Sequence, residues 1–383
     1  MLKILLKGYY GFGNLGDDIL LLVCYKMAKE KFPDAIFYIY SNFAENSINN
    51  DIKYNKYIYN LISEKVEVIN WTYRGSFDIV INGGGGIYFD NNKGSRLRVL
   101  LNFVLSIIGC DTSHKLEKLF RWALRKPSHI QFKYRLGLGI GIGDFEKGSR
   151  LFPEKLSEIG SYNFMWVRGQ HSLTKLNKYK FSKKSIKSTD LAFLSQYWKP
   201  ELGSEKISNN NVSTVGIIIM KLPHQQNLLF EELQELAKML LKTNLKTQFF
   251  SFDENYDKST ITQFGDHVNV WRPNHCSLKS FVTQISKCQI MISTRAHGAI
   301  LGGVLGAIPI CIETSIKLKE VAAMFPESGS IMRVSCSKVD LQERVFHIMN
   351  NFGLFQERLK RDVLLNETMA KQGANEFTKF INE

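Results

Sequence analysis

Along most of the chain, short apolar runs alternate with longer stretches whose apolar positions recur at helical spacing. KILLKGY (3–9), AIFYIYS (35–41), FDIVING (77–83) and YRLGLGIGI (134–142) are near-continuous apolar runs, and FMWVRG (164–169) is a weaker fifth. Each ends in glycine or polar turn residues and gives way to a helical pattern. Runs apolar on both faces fit strands covered on both sides, so the alternation predicts parallel sheets flanked by helices. Around residues 197–213 the text turns polar, YWKPELGSEKISNNNVS, and a domain boundary is predicted there. The alternation then restarts with TVGIIIM (214–220), KTQFFSF (246–252), HVNVW (267–271), CQIMI (288–292) and IPICI (308–312), and from about Val339 it is helical to the end. The expected class is α/β, with two Rossmann-like domains facing a cleft, residues 1–205 and 212–345, and helices 346–383 packing back on the first domain. Ligands of such sheets bind beyond the C-terminal strand ends.

Composition narrows the partners. The 383 residues suffice for two cores, and 44% hydrophobic with 22% charged residues is the balance of a globular protein. Fifty Lys and Arg against 36 Asp and Glu leave a net charge of +14, which favours nucleic acid, anionic lipid or a phosphorylated substrate. Aromatic residues fall mostly in predicted strands rather than on a basic face, so nucleic acid is not expected. Six scattered cysteines with no CxxC pair indicate a reducing compartment, and MLKILLKGYYG is too short an apolar run for a signal peptide. No run approaches the roughly 20 apolar residues that span a bilayer. A cytoplasmic protein is expected. Residues 93–126 carry eight basic residues against two acidic, interleaved with Leu, Phe and Trp122. Two readings fit that segment: an amphipathic stretch on an anionic membrane surface, or surface helices with one face in the core.

Candidate chemistry lies at the strand ends. After the first strand, Gly11, Gly13 and Gly16 spell GxGxxG, but Asp17 and Asp18 would repel a pyrophosphate at that helix start. The second strand also ends in Ser41-Asn42, without a carboxylate for a ribose, so no nicotinamide cofactor is expected. Asp17 and Asp18 either cap the helix or, with Asn14, face the cleft to accept sugar hydroxyls or take a proton from one. The glycines of INGGGGIYFD, Gly84 and Gly85 among them, let backbone approach a ligand closely. Arg168 and Asp190 fit a structural ion pair between neighbouring strand ends better than ligand contacts. In ISTRAHGAILGG (292–303), Arg295 sits where a helix start is itself partly positive, which disfavours a cation. An anion held by the guanidinium and the helix amides would remove that cost, and His297 beside it can carry a proton near neutral pH. Ser293 and Thr294 complete that turn. The other histidines are not paired with Cys or Glu at metal-ligand spacing, and neither GxSxG nor GxxxxGK[ST] occurs, so no metal site, serine hydrolase or P-loop is expected.

Taken in order, YGFGNLGDDILL, GGGGIYFD, VRGQHSL, DLAF and STRAHGAILGGVLGAIPI resemble the polysaccharide pyruvyl transferase family. The resemblance implies a GT-B-like fold and transfer of pyruvate from phosphoenolpyruvate to sugar hydroxyls, with no bound cofactor. It implies that Arg295 and His297 match the family's arginine–histidine pair at the donor, with Ser293 and Thr294 beside them. Family members often carry an arginine at the end of the first strand of the second domain, where this chain reads VGIIIMKLPH; Lys221 takes its place as a point charge. Asn14, Asp17, Asp18, Gly84 and Gly85 fall to the acceptor, a surface-polysaccharide sugar or its lipid-linked precursor. Two rivals stand beside this reading. One is a nucleotide-sugar glycosyltransferase of the same architecture, using Glu313 or Glu320 on a ribose, and the other a basic glycan-binding module without catalysis.

Overall fold

The computed structural model describes residues 1–41, 58, 60–62, 64–70, 73–88, 130–143, 145, 152–181, 184–201, 213–220 and 227–383. Its first sheet contains β1 (Lys3–Lys7), β2 (Ile36–Tyr40), β3 (Glu67–Ile69), β4 (Ser76–Gly83), β5 (Gly86–Tyr88), β6 (Gln131–Ile142), β7 (Phe164–Arg168) and β8 (Ser185–Ser188). The strands run parallel in the order β3-β2-β1-β4-β6-β7-β8, with β5 pairing β6. A second parallel sheet contains β9 (Thr214–Ile219), β10 (Lys246–Ser251), β11 (Val268–Val270), β12 (Ile290–Ser293), β13 (Ile308–Glu313) and β14 (Ser330–Arg333), in the order β11-β10-β9-β12-β13-β14. This is the expected pair of Rossmann-like sheets. In each, strand order reverses beside the first strand, between β1 and β4 and between β9 and β12, and such switch points open a crevice for ligands.

The described helices are α1 (Leu15–Lys31), α2 (Phe152–Gly160), α3 (Gln170–Lys178), α4 (Asn227–Leu241), α5 (Lys258–Phe264), α6 (Leu278–Ile285), α7 (Ala296–Val304), α8 (Ile316–Ala322), α9 (Lys338–Asn350) and α10 (Phe352–Asn382). Asn14 caps α1, its Oδ1 accepting from the amides of Gly16 at 3.1 Å and Asp17 at 3.4 Å, while Asp17 and Asp18 in the first turn complement the helix dipole. Small residues let α7 lie directly on β12; a methyl added to Gly302 would stand 2.8 Å from Met291. Among the described residues no helix is long and apolar enough to cross a membrane.

The two halves share one apolar core. Polar ties cross between them: the Leu15 amide donates to the Phe252 carbonyl at 2.9 Å, and the Trp271 indole donates to Asp18 Oδ2 at 2.8 Å. The last helix, α10, lies on β7 and β8 of the first sheet and also reaches the second half. Its buried Asn366 accepts from Thr189 Oγ1 at 2.7 Å and donates to the Met324 carbonyl at 2.7 Å. Asp362, one turn earlier, holds the Ser328 amide at 2.9 Å and its hydroxyl at 2.7 Å.

Candidate active site

The first turn of α1, the Gly84–Gly85 turn after β4, the ends of β7 and β8, and the turns after β10, β12 and β13 meet between the two sheets. All lie at C-terminal strand ends. Ser293 ends β12, and its hydroxyl donates to the Arg295 carbonyl at 2.6 Å while accepting from the Arg295 amide at 3.1 Å. That bracket fixes the strand-to-helix turn. The Thr294 hydroxyl donates to the Ile218 carbonyl at 3.0 Å. Where the sequence expects Ser293 and Thr294 to touch a donor, the structure buries both and turns the Ser293 hydroxyl into the turn and the Thr294 hydroxyl to the adjacent strand β9.

Arg295 is the cap residue of α7, with extended backbone. Its Nη2 donates to both carboxylate oxygens of Asp257 at 2.8 Å, and Asp257 is fully buried and also accepts from Ser251 Oγ at 2.9 Å. The Nη2 edge of the guanidinium is therefore paired with the protein's own carboxylate, from the turn before α5. Arg295 Nε remains buried without a hydrogen-bond partner.

His297, in the first turn of α7, crosses to the other half. A methyl on Gly16 would lie 2.1 Å from its Nδ1, so only glycine at the start of α1 admits the ring. On its other side Nε2 stands 3.8 Å from Asp190 Oδ2, close enough for attraction but beyond hydrogen-bond reach. Nε2 is buried and has no hydrogen-bond partner among the described residues. An unsatisfied buried nitrogen of this kind is rare in a protein interior.

Asp190 also accepts from Arg168 Nη1 at 2.8 Å, with both side chains buried, so the expected ion pair forms. It does more than join two strand ends, because it faces His297 as well. Burial alone would raise the Asp190 carboxyl; the His297 imidazole, the Arg168 guanidinium and the Ala192 amide outweigh it and hold the group well below the usual carboxylate range.

Asp17 sits at the floor of the cleft, enclosed by protein yet still reached by solvent. Enclosure pushes its carboxyl upward, partly offset by His297, Lys317, Arg295 and Arg168, which come from both halves. A Cβ on Gly85 would be 3.6 Å from Asp17 Oδ1, and Gly84 and Gly85 both hold positive φ, +64° and +82°. That backbone brings the glycine turn against the carboxylate. Asp18, by contrast, is buried, and its Oδ2 accepts from the Trp271 indole, a tie between the halves. Asn14 remains the cap of α1 and bridges to Asp253.

The structure thus brings Asp17, Arg295 and His297 together, with Gly85 alongside. Lys221 and the basic segment 93–126 lie outside the described residues. Lys317, Asp190 in its contact with His297, and Asp257 are the cleft residues the sequence reading does not supply. Lys317 follows β13, and burial lowers its ammonium, aided by Arg168 and opposed by Asp17 and Glu320. The strand-end rule that pointed to Arg295 points equally to "IETSIKLKE", where Lys317 stands.

A cleft between two doubly wound halves, lined by carboxylates, cations and an imidazole, defines a two-domain transferase fold of the GT-B type. Solved structures share it. The UDP-GlcNAc 2-epimerase from Neisseria meningitidis, bound to UDP-GlcNAc, matches with a TM-score of 0.56 at 10% identity, over 99% of this chain and 100% of that one. MnaA from S. aureus with UDP matches with a TM-score of 0.57 at 9% identity, over 100% of this chain and 97% of that one. HepE from Anabaena in complex with UDP-glucose gives 0.51 at 10% identity, over 99% and 100% of the two chains. At such identities the likeness is one of fold. No curated protein sequence matches the chain. The family profile for polysaccharide pyruvyl transferase matches residues 14–315, and the chain belongs to that family.

Proposed function

We propose that the protein transfers the pyruvyl group of phosphoenolpyruvate to two hydroxyls of a sugar in a bacterial surface polysaccharide or its lipid-linked precursor, forming a cyclic ketal and releasing phosphate. One observation carries the reading: His297 Nε2 and Arg295 Nε, both buried and without hydrogen-bond partners, lie in the same cleft as Asp17. A proton delivered to the methylene carbon of the enol phosphate turns its oxygen-bearing carbon into an electrophile. The first acceptor hydroxyl adds there and gives up its proton. The carbon–oxygen bond to phosphate then breaks, the phosphate leaves, and the second hydroxyl closes the ring with loss of its own proton. His297 is assigned the delivery of the proton. Asp17, whose raised carboxyl makes it a stronger base than a solvated one, is assigned the acceptor proton. Lys317 and the Nε edge of Arg295 not engaged by Asp257 hold the donor's anionic groups.

The rival nucleotide-sugar chemistry needs a carboxylate on the ribose, and Glu313 is already paired with Lys319 at 2.7 Å. Incubation with phosphoenolpyruvate and with UDP-sugars separates the two. Phosphate release from the enol phosphate is expected, and nucleotide release would count against it. His297→Ala should slow that release by roughly 10²–10⁴-fold with the fold intact by circular dichroism; near-normal turnover would remove its catalytic role. Action at the cytoplasmic leaflet through residues 93–126 belongs to the same reading, and co-sedimentation with anionic but not neutral liposomes is its test.

A further inference from the structure

Two exposed aromatic rings stand at the cleft, one on each half, and the chemistry above uses neither. Tyr9, in the turn after β1, is 56% exposed and stacks on Phe12 with centroids 4.0 Å apart and planes 7° from parallel. Tyr256, after β10, is 54% exposed and lies beside the Arg295 guanidinium, 5.6 Å from ring centroid to Cζ. Its amide donates to Asp253 Oδ1 at 2.9 Å, so the same turn places a ring and a buried carboxylate together.

The backbone places that ring at the cleft. Asn14, five residues on, bridges to Asp253, and the Leu15 amide donates to the Phe252 carbonyl at 2.9 Å, so the loop after β1 lies against the turn that carries Tyr256. Phe12 supports one face of the Tyr9 ring, whose hydroxyl is raised by partial burial and by Asp253 and Asp17.

Stacking on Phe12 occupies one face of Tyr9, and with the residue 56% exposed the ring still offers surface to a ligand. A flat apolar surface flanked by carboxylates suits a ligand with an apolar face and a rim of hydroxyls. A pyranose has this shape: its axial C–H groups form a face, and its hydroxyls donate to carboxylates at the edge. A nucleobase would also stack, but Asp17 and Asp253 would repel the phosphates attached to it.

We propose that Tyr9, backed by Phe12 and with Tyr256 on the other half, forms the acceptor-sugar subsite, with a pyranose ring on the exposed surface of Tyr9 and its hydroxyls directed to Asp17. The proposal rests on the saccharide-acceptor reading given above. It assigns ring recognition to a residue pair in the loop after β1 and leaves donor binding to the second half.

Saturation-transfer NMR on the full chain tests it, with methyl glucoside, methyl galactoside and methyl mannoside as probes and no donor present. At least one should show transfer to its ring C–H protons. That affinity should fall about tenfold in Tyr9→Ala and return in Tyr9→Phe, which keeps the stacking face. A thermal shift with phosphoenolpyruvate on the same variants reads the donor side separately. Saccharide binding that depends on Tyr9 in a protein that ignores phosphoenolpyruvate would uphold the subsite and overturn the donor. Saccharide binding indifferent to Tyr9→Ala, absence of binding by all three probes, or Tyr9-dependent binding of UMP in their place would overturn the subsite, whatever the donor result.

Discussion

The residue that decides where the imidazole goes is a glycine on the other half of the molecule. Gly16 leaves room for the His297 ring, and a methyl there would overlap Nδ1 at 2.1 Å. Gly16→Ala is expected to displace the ring and lower kcat by at least tenfold, and the overlap should cost roughly 1–3 kcal/mol of thermal stability. Steady-state kinetics alongside a melting curve would check both halves of that statement. The sequence shows Gly16 only as part of an apparent dinucleotide motif. Its actual task, admitting a side chain 281 positions later in the chain, has no local signal. Arg295 was legible as a cation out of place at a helix start. Its counter-charge was not, because Asp257 lies on a different strand end and reaches the guanidinium only once β10 and β12 are set on either side of β9.

At the scale of elements, the short edge strand β8 carries Asp190 to its position. Its segment, SIKS, has one apolar residue, so nothing in the hydrophobic pattern announces it, and β3 and β14 are equally brief edge strands. The long buried strands were legible because parallel sheets covered on both faces need unbroken apolar runs. Asp190, with a carboxyl depressed in the folded protein, contributes stability that is fully present above the unfolded value near 3.9 and is lost as pH falls through the lower folded value. The wild type should therefore lose stability to urea as pH drops below about 4, and Asp190→Asn should flatten that part of the profile. At neutral pH the same variant leaves Arg168 buried without its counter-charge and should be less stable by roughly 3–5 kcal/mol.

At the scale of the whole molecule, the pattern of strands and the polar stretch near residue 200 gave the two sheets, while the ties between them depend on residues far apart in sequence. Trp271 donates to Asp18 across the gap, a hydrogen bond to a charged group in a buried setting. Trp271→Phe keeps an aromatic ring but removes that donor and part of the buried indole volume, and should cost at least about 1.5–3 kcal/mol in urea unfolding. Small-angle scattering on the variant should show a larger radius of gyration if this bond helps hold the halves together.

One feature of α10 bears on how such a molecule can move. Asn366 is clasped from both sides, by Thr189 of the first half and by the Met324 carbonyl of the second. Opening of the gap by swinging the halves as loose bodies would break one clasp or the other. The terminal helix is therefore a brace across the two halves that resists such opening.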